Sequence, residues 1–246
     1  MLIHDAIKSA ADAIARHRPT GNGLRFTGHT IAASKKQMAG YVFTTNWFEK
    51  ERPAWEELFT KVKPRKILEI GSYEGASAVF LIETLAKDFD IELHCIDTWA
   101  GSLEHRSGGL DPSDMGSVEL HFQQNTAMAI REAKNRVDLK IHKELSELCL
   151  PRLLAMGSKN YFDFIYIDGS HQAPDVLYDA VLAFKLLSVG GLMILDDYLW
   201  NEPLPTGKDP LRSPKLAIDA FVNINLRKLN VLSALNSQVF IQKISD

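Results

Sequence analysis

The sequence predicts an α/β fold: a doubly wound, mostly parallel seven-stranded sheet with a C-terminal antiparallel hairpin and an N-terminal helical cap. Three observations predict it. Between residues 66 and 198 short apolar runs alternate strictly with helical patterns, which means parallel strands joined by right-handed crossovers and covered on both faces. Two of those runs end on acidic residues and one on a glycine turn, the places where such sheets bind ligands. Near the end of the chain LNVLSAL and QVFIQKI flank the pair Asn236 and Ser237, the pattern of a hairpin closing a sheet edge.

Taken in order, residues 2 to 17 place Leu2, Ile3, Ala6, Ile7, Ala10 and Ile14 at helical spacing, an amphipathic helix that must cover something. Its apolar face suits packing on the main domain, or a homo-oligomer contact. Pro19 and the TGNG turn end it. From 21 to 50 the aromatics Phe26, Tyr41, Phe43, Trp47 and Phe48 are scattered among polar residues, as in a lid or a cap, and a helix follows from about Glu51 to Val62. The chain therefore divides into a cap, 1–62, and a Rossmann-like domain, 63–246. Within the latter, KILEIG, IELHCID, LKIH, FDFIYID and LMILDD read as strands. GASAVFLIETLAK, VELHFQQNTAMAIREAK, LPRLLAM and PDVLYDAVLAFKLL read as helices, the last opened by Pro174 in its first turn. A final helix is expected near 214 to 228.

Composition narrows the function classes. With 46% hydrophobic and 24% charged residues the chain is an ordinary globular protein, and its formal charge of −3 offers no basic excess for nucleic acid. No apolar run approaches the roughly 18 residues of a membrane span. Cys95 and Cys149 each sit inside an apolar run, so they read as buried thiols suited to a reducing cytoplasm. The N-terminus carries Asp5 and Asp12 and has no uninterrupted apolar segment, unlike a secretory or transit signal.

Chemistry concentrates at the strand ends. FDFIYIDGSH ends on Asp168 with His171 three places on, and GGLMILDDY ends on Asp196 and Asp197. If the two strands are parallel neighbours, three carboxylates and an imidazole share one rim, a site for a hard cation and a reacting hydroxyl. An imidazole titrates at about 6.5, so His171 is the candidate general base. Gly71 and Gly75 lie where the first strand hands over to a helix, but the middle glycine of a dinucleotide turn is missing and Glu69 would repel a diphosphate. A ligand with a positive amino-acid tail fits better. Asp97, ending the next strand, can accept ribose hydroxyls, and Trp99 can stack on a flat base.

LEIGSYEGAS, CIDTW, FDFIYIDGSH and GGLMILDDY, in that order, resemble the class I methyltransferases that use S-adenosylmethionine. More narrowly, they are similar to the metal-dependent small-molecule O-methyltransferases, including catechol O-methyltransferase and the sugar O-methyltransferases of macrolide and aminocoumarin pathways. The resemblance covers roughly residues 66 to 198. It implies that Glu69, Gly71, Ser72, Tyr73 and Gly75 floor the methionine part of the cofactor, with Ser77 near its carboxylate. Asp97 becomes the ribose ligand, with Thr98 and Trp99 beside it, and Ser146 reaches the adenine. Mg²⁺ would be held by Asp168, Asp196 and Asp197. The catechol enzyme has an amide where this chain has Asp197 and a lysine where it has His171, so the rim resembles the sugar-modifying branch. The acceptor is then a small hydroxylated molecule, a sugar, polyketide or other natural product. A nicotinamide-dependent oxidoreductase and a non-catalytic cofactor-binding protein are the alternatives on the same fold.

Overall fold

The computed structural model describes residues 40–105, 109, 113–205, 207–235 and 237–246. The expected helix at 2–17, with its proposed oligomer contact, and Phe26 lie outside them.

A single sheet of seven strands runs in the order β3-β2-β1-β4-β5-β7-β6. Its parallel part is β1 (Lys66–Ile70), β2 (Ile91–Ile96), β3 (Val137–His142), β4 (Phe162–Ile167) and β5 (Leu187–Leu195). The last two strands, β6 (Leu229–Leu235) and β7 (Gln238–Lys243), form the expected hairpin, and β7 joins antiparallel to β5. The central runs KILEI and FDFIYI are buried almost throughout because helices cover both faces, whereas the edge strand VDLKIH is half-exposed and correspondingly polar.

Six α-helices are described: α1 (Arg52–Lys61), α2 (Ala76–Leu85), α3 (Met115–Glu132), α4 (Ser146–Ala155), α5 (Ala173–Leu186) and α6 (Pro214–Ile224). The largest differences from expectation are at the ends of α4 and α6. Helix α4 begins five residues ahead of Pro151, which lies inside the helix and lacks the N–H that would bond the Glu147 carbonyl, and α6 stops at Ile224 rather than near 228. Among the described residues no helix is long and apolar enough to cross a membrane.

The core splits into one cluster on each face of the sheet. One joins α1, α2 and α3 to the sheet around Trp55, Phe59, Phe80 and Phe164; the other joins α4, α5 and α6 around Phe162, Phe184 and Phe221. Helix α1 falls on the cap side of the division at residue 62, yet Trp55 is fully buried and stands edge-on to Phe164 and Tyr166 of β4. Packing therefore makes α1 part of the sheet's own core.

Strand order reverses between β1 and β4, so the loops leaving those two strands diverge and open a crevice at their carboxyl ends. Gly71 and Asp168 meet there. A side chain at Gly71 would put Cβ 2.0 Å from the Asp168 carbonyl oxygen, and the backbone at Gly71 holds φ +83°, so only glycine fits.

Candidate active site

One cavity of about 1140 Å³ follows the carboxyl ends of the parallel strands from β5 to the start of α4. Gly71, Ser72, Tyr73, Ser77, Asp97, Thr98, Ser146, Asp168, His171, Asp196 and Asp197 all contribute to its wall. It has room for a nucleoside-sized ligand together with a small second molecule.

The turn after β1 is braced from beneath. Glu69 is fully buried; Ser72 donates to its Oε2 at 2.5 Å and Ser77 to its Oε1 at 2.6 Å. Burial pushes the Glu69 carboxyl up, against the pull of these hydroxyls. The expectation that Glu69 meets a ligand's ammonium group is therefore corrected: both its oxygens are engaged inside the turn, and it is absent from the cavity wall. Asp97 ties the turn from above. Its Oδ2 accepts the amides of Ser72 and Tyr73 at 2.8 and 3.0 Å, and its Oδ1 accepts the amide of Trp99 at 2.8 Å. A carboxylate has about four acceptor positions, so Asp97 keeps capacity for a hydroxyl on the cavity side. The amides a pyrophosphate would need are already used, which argues against the dinucleotide alternative.

Trp99 departs from expectation. Only 6% exposed, it packs 4.8 Å from Phe122 and donates through Nε1 to the Tyr73 carbonyl at 2.9 Å. Its ring is a core element under the turn and takes no part in the cavity wall, so it cannot stack on a base there. Gly75, at φ +82°, caps α2, and a Cβ there would press on Phe122 at 2.9 Å. Thr98 stays on the wall, its hydroxyl accepting the amide of Ala100 at 3.1 Å.

The acidic rim is assembled as parallel pairing of β4 and β5 requires, with Ile167 opposite Leu195. The three groups whose ligand atoms converge, all within 4.8 Å of one another, are Asp168, His171 and Asp197. His171 Nε2 lies 2.7 Å from Asp197 Oδ2, and its ring stacks on Trp200 at 4.1 Å. Asp197 itself takes φ +54°, a costly backbone for a non-glycine residue, which re-aims its side chain toward His171.

Asp196 reaches the rim but is committed behind it. Its Oδ2 accepts from Tyr166 and, at 2.7 Å, from Gln238 Nε2, while Oδ1 accepts the Asp197 amide at 2.6 Å. Tyr166 also lies 2.8 Å from Asp168 Oδ2, and Trp55 Nε1 donates to Gln238 Oε1 at 2.9 Å. Of the three aspartates expected to hold a metal, Asp168 and Asp197 converge with His171, while both oxygens of Asp196 are already hydrogen-bonded behind the rim. Burial, and then repulsion among the three aspartates, pushes the Asp168 and Asp196 carboxyls up. A bound cation would ease this repulsion, and an oxygen-rich donor set is of the kind that can hold a hard divalent ion.

A second convergence, of His142, Glu144 and Cys149, has its cation built in. Arg152 Nη2 donates to Glu144, contacts His142 Nδ1 at 3.3 Å and lies 3.4 Å from Cys149 Sγ. Ser146, beside it, begins α4, and the residue before it, Leu145, supplies no side-chain cap.

With this geometry in view, a family model described as "Methyltransferase domain" matches residues 68–198, more than half of the chain. The chain belongs to the methyltransferase domain family. Solved methyltransferases share its fold at low identity. The O-methyltransferase from Bacillus cereus, solved with S-adenosylhomocysteine, is 15% identical with a TM-score of 0.54, covering 98% of this chain and 91% of that one. TomG from Streptomyces achromogenes, an O-methyltransferase of tomaymycin synthesis solved with S-adenosylmethionine, is 16% identical at 0.53, covering 98% and 90%. The calicheamicin methyltransferase CalS11 is 10% identical at 0.57, covering 97% and 91%. An uncharacterized protein of Acanthamoeba polyphaga mimivirus is 30% identical over 90 residues, 37% of this chain and 39% of that protein's length. The methyltransferase fold thus extends well beyond the 66–198 stretch that carried the sequence resemblance.

Sequence reasoning missed two residues of this methyltransferase site, Tyr166 and Gln238, which brace the rim. Tyr166 had a local signal: in FDFIYID it shares a strand face with Phe164, so its hydroxyl must find a buried partner.

Proposed function

We propose that the protein is an S-adenosylmethionine-dependent O-methyltransferase that uses a divalent cation, Mg²⁺ or a similar hard ion, and acts on a hydroxyl of a small molecule. The observation that carries this reading is the placement of the Asp168, His171 and Asp197 cluster beside the Gly71 to Ser77 turn in one cavity. That puts a proton acceptor and an acidic rim next to the place where a methyl donor's amino-acid end would rest.

When bound, the donor supplies an electrophilic methyl on a sulfonium and the cation polarises the acceptor hydroxyl. Asp168 and Asp197 are the carboxylates assigned to the ion, and Asp196 holds the rim in place through Tyr166. His171 would take the hydroxyl proton as the methyl passed from the sulfonium sulfur to the hydroxyl oxygen, which would leave the neutral thioether S-adenosylhomocysteine and a protonated imidazole. Asp197 and Trp200 fix the imidazole's orientation for that transfer. Tyr73 and the backbone of the turn position the donor, and holding two reactants in line lowers a barrier by about 7–11 kcal/mol in favourable cases. Asp97 accepts ribose hydroxyls with its remaining lone pairs, and Ser146 faces the base.

Calorimetric titration with S-adenosylhomocysteine tests the donor half of the reading. One equivalent bound per chain, weakened in Asp97→Ala, supports it, and absence of binding overturns it.

A further inference from the structure

The convergence of His142, Glu144 and Cys149 lies at the β3 edge of the sheet, whereas the acidic rim rises from β4 and β5. His142 ends β3, Glu144 follows in the turn, and Cys149 stands in the first turn of α4. The ring of His142 is held in one tautomer. Arg152 Nη2, a guanidinium nitrogen with no lone pair to offer, approaches His142 Nδ1 at 3.3 Å, so Nδ1 accepts and the ring proton sits on Nε2. That Nε2–H points to His94 Nδ1 at 3.1 Å, and His94 Nε2–H points in turn to Glu92 Oε1 at 2.7 Å. A histidine anchored through its far nitrogen, with its bare nitrogen aimed at a thiol and a carboxylate, is arranged as metal-binding histidines are. The three ligand atoms lie within 4.8 Å of one another. Arg152 contacts all three and plugs the space between them, but its side chain is 43% exposed and can turn outward into solvent.

We propose that His142, Glu144 and Cys149 form a second metal site, for a thiophilic divalent ion of the zinc type, and that the ion competes for it with the Arg152 guanidinium. One imidazole nitrogen, one thiolate and one carboxylate oxygen supply three of four tetrahedral positions, with water in the fourth. On binding, the Cys149 thiol gives its proton to solvent and the guanidinium gives up its contacts. Sulfur and imidazole distinguish this site from the rim, whose carboxylates suit a hard ion.

The test is a titration with Co²⁺ in excess Mg²⁺ at pH 8, followed by optical absorption, on the full chain and on Cys149→Ser, His142→Ala and Arg152→Met. The full chain should take up one equivalent, with a sulfur-to-cobalt charge-transfer band and the intense visible bands of tetrahedral coordination, and Zn²⁺ should displace it. The chain has two cysteines, so the sulfur is that of Cys95 or Cys149. Cys149→Ser should abolish the charge-transfer band, and His142→Ala should weaken binding by about tenfold or more. Arg152→Met removes the competing cation and leaves all three ligands in place. Its affinity should rise by about tenfold, the scale of the charge-assisted hydrogen bonds that the ion otherwise displaces. If Cys149→Ser fails to fold, the full chain and Arg152→Met still decide the matter. Absence of the charge-transfer band, its survival in Cys149→Ser, or an affinity unchanged or lowered in Arg152→Met would overturn the proposal. So would a titration showing only the weak bands of octahedral cobalt, which would put the ion among oxygen ligands elsewhere.

Discussion

His171 is held in orientation by Asp197: Nε2 of the imidazole lies 2.7 Å from Oδ2 of the carboxylate, while Trp200 stacks on the ring. A base fixed in this way loses little entropy when it meets a hydroxyl. Replacing it by an amide of similar reach, His171→Asn, should reduce labelled-methyl transfer by about 10²- to 10⁴-fold. The affinity for S-adenosylhomocysteine, measured in parallel, should stay nearly constant. An undiminished rate would remove His171 from the proton transfer.

The metal assignment has a readout independent of turnover. Mn²⁺ titrated into the protein and followed by electron paramagnetic resonance should show one bound ion per chain. Asp168→Asn should weaken that binding by about tenfold or more, since even outer partners of metal ligands carry effects of that size. Binding that survives the double variant Asp168→Asn with Asp197→Asn would place the ion elsewhere.

Gly71 tests the contact between the two strand ends. An alanine there brings Cβ to 2.0 Å from the Asp168 carbonyl oxygen in a backbone conformation that disfavours side chains. Strain of about 1–3 kcal/mol adds to the displacement of that peptide. The melting temperature should fall by about 10 °C, and a change of only about 2 °C would mean that the strand ends are less closely apposed.

Asp179 makes stability fall as pH rises. Burial lifts its pKa from an ordinary 3.8 to about 7, so between those values the folded state keeps a proton that the unfolded state has lost. The contribution of the protonated group is complete below about 4 and gone above about 7. Three units correspond to about 4 kcal/mol at most. Urea denaturation of the full chain and of Asp179→Asn at pH 4.5 and pH 8 should show the variant gaining relative stability at the higher pH. A difference independent of pH would show that Asp179 is ionised in the fold throughout.

Much of this was legible in the sequence, and the reasons are physical. Strict alternation of strand and helix patterns located all five parallel strands, and the two-residue break at Asn236 and Ser237 located the hairpin, because periodicity is a local property. Strand ends carrying Asp97, Asp168 and Asp197 were legible for the same reason. Direction of a side chain was not. Glu69, Asp97 and Trp99 were each placed correctly along the chain, but two of Glu69's neighbours satisfy it internally and Trp99 turns into the core under a positive φ of 47°. The brace from Trp55 through Gln238 to Asp196 joins residues 183 positions apart, and no spacing rule reports such a contact. Gly71 was read as room for a ligand, whereas the structure adds a second demand, the close approach of Asp168.

The central claim is metal-assisted methyl transfer from S-adenosylmethionine to an oxygen. It is tested most directly by incubating the protein with methyl-labelled S-adenosylmethionine and a metabolite extract from the source organism, with EDTA or with Mg²⁺, and following the label by mass spectrometry. The account predicts label on the oxygen of a small hydroxylated molecule, lost with EDTA and restored by excess Mg²⁺. Label on nitrogen or carbon, or transfer that persists in EDTA, would contradict it.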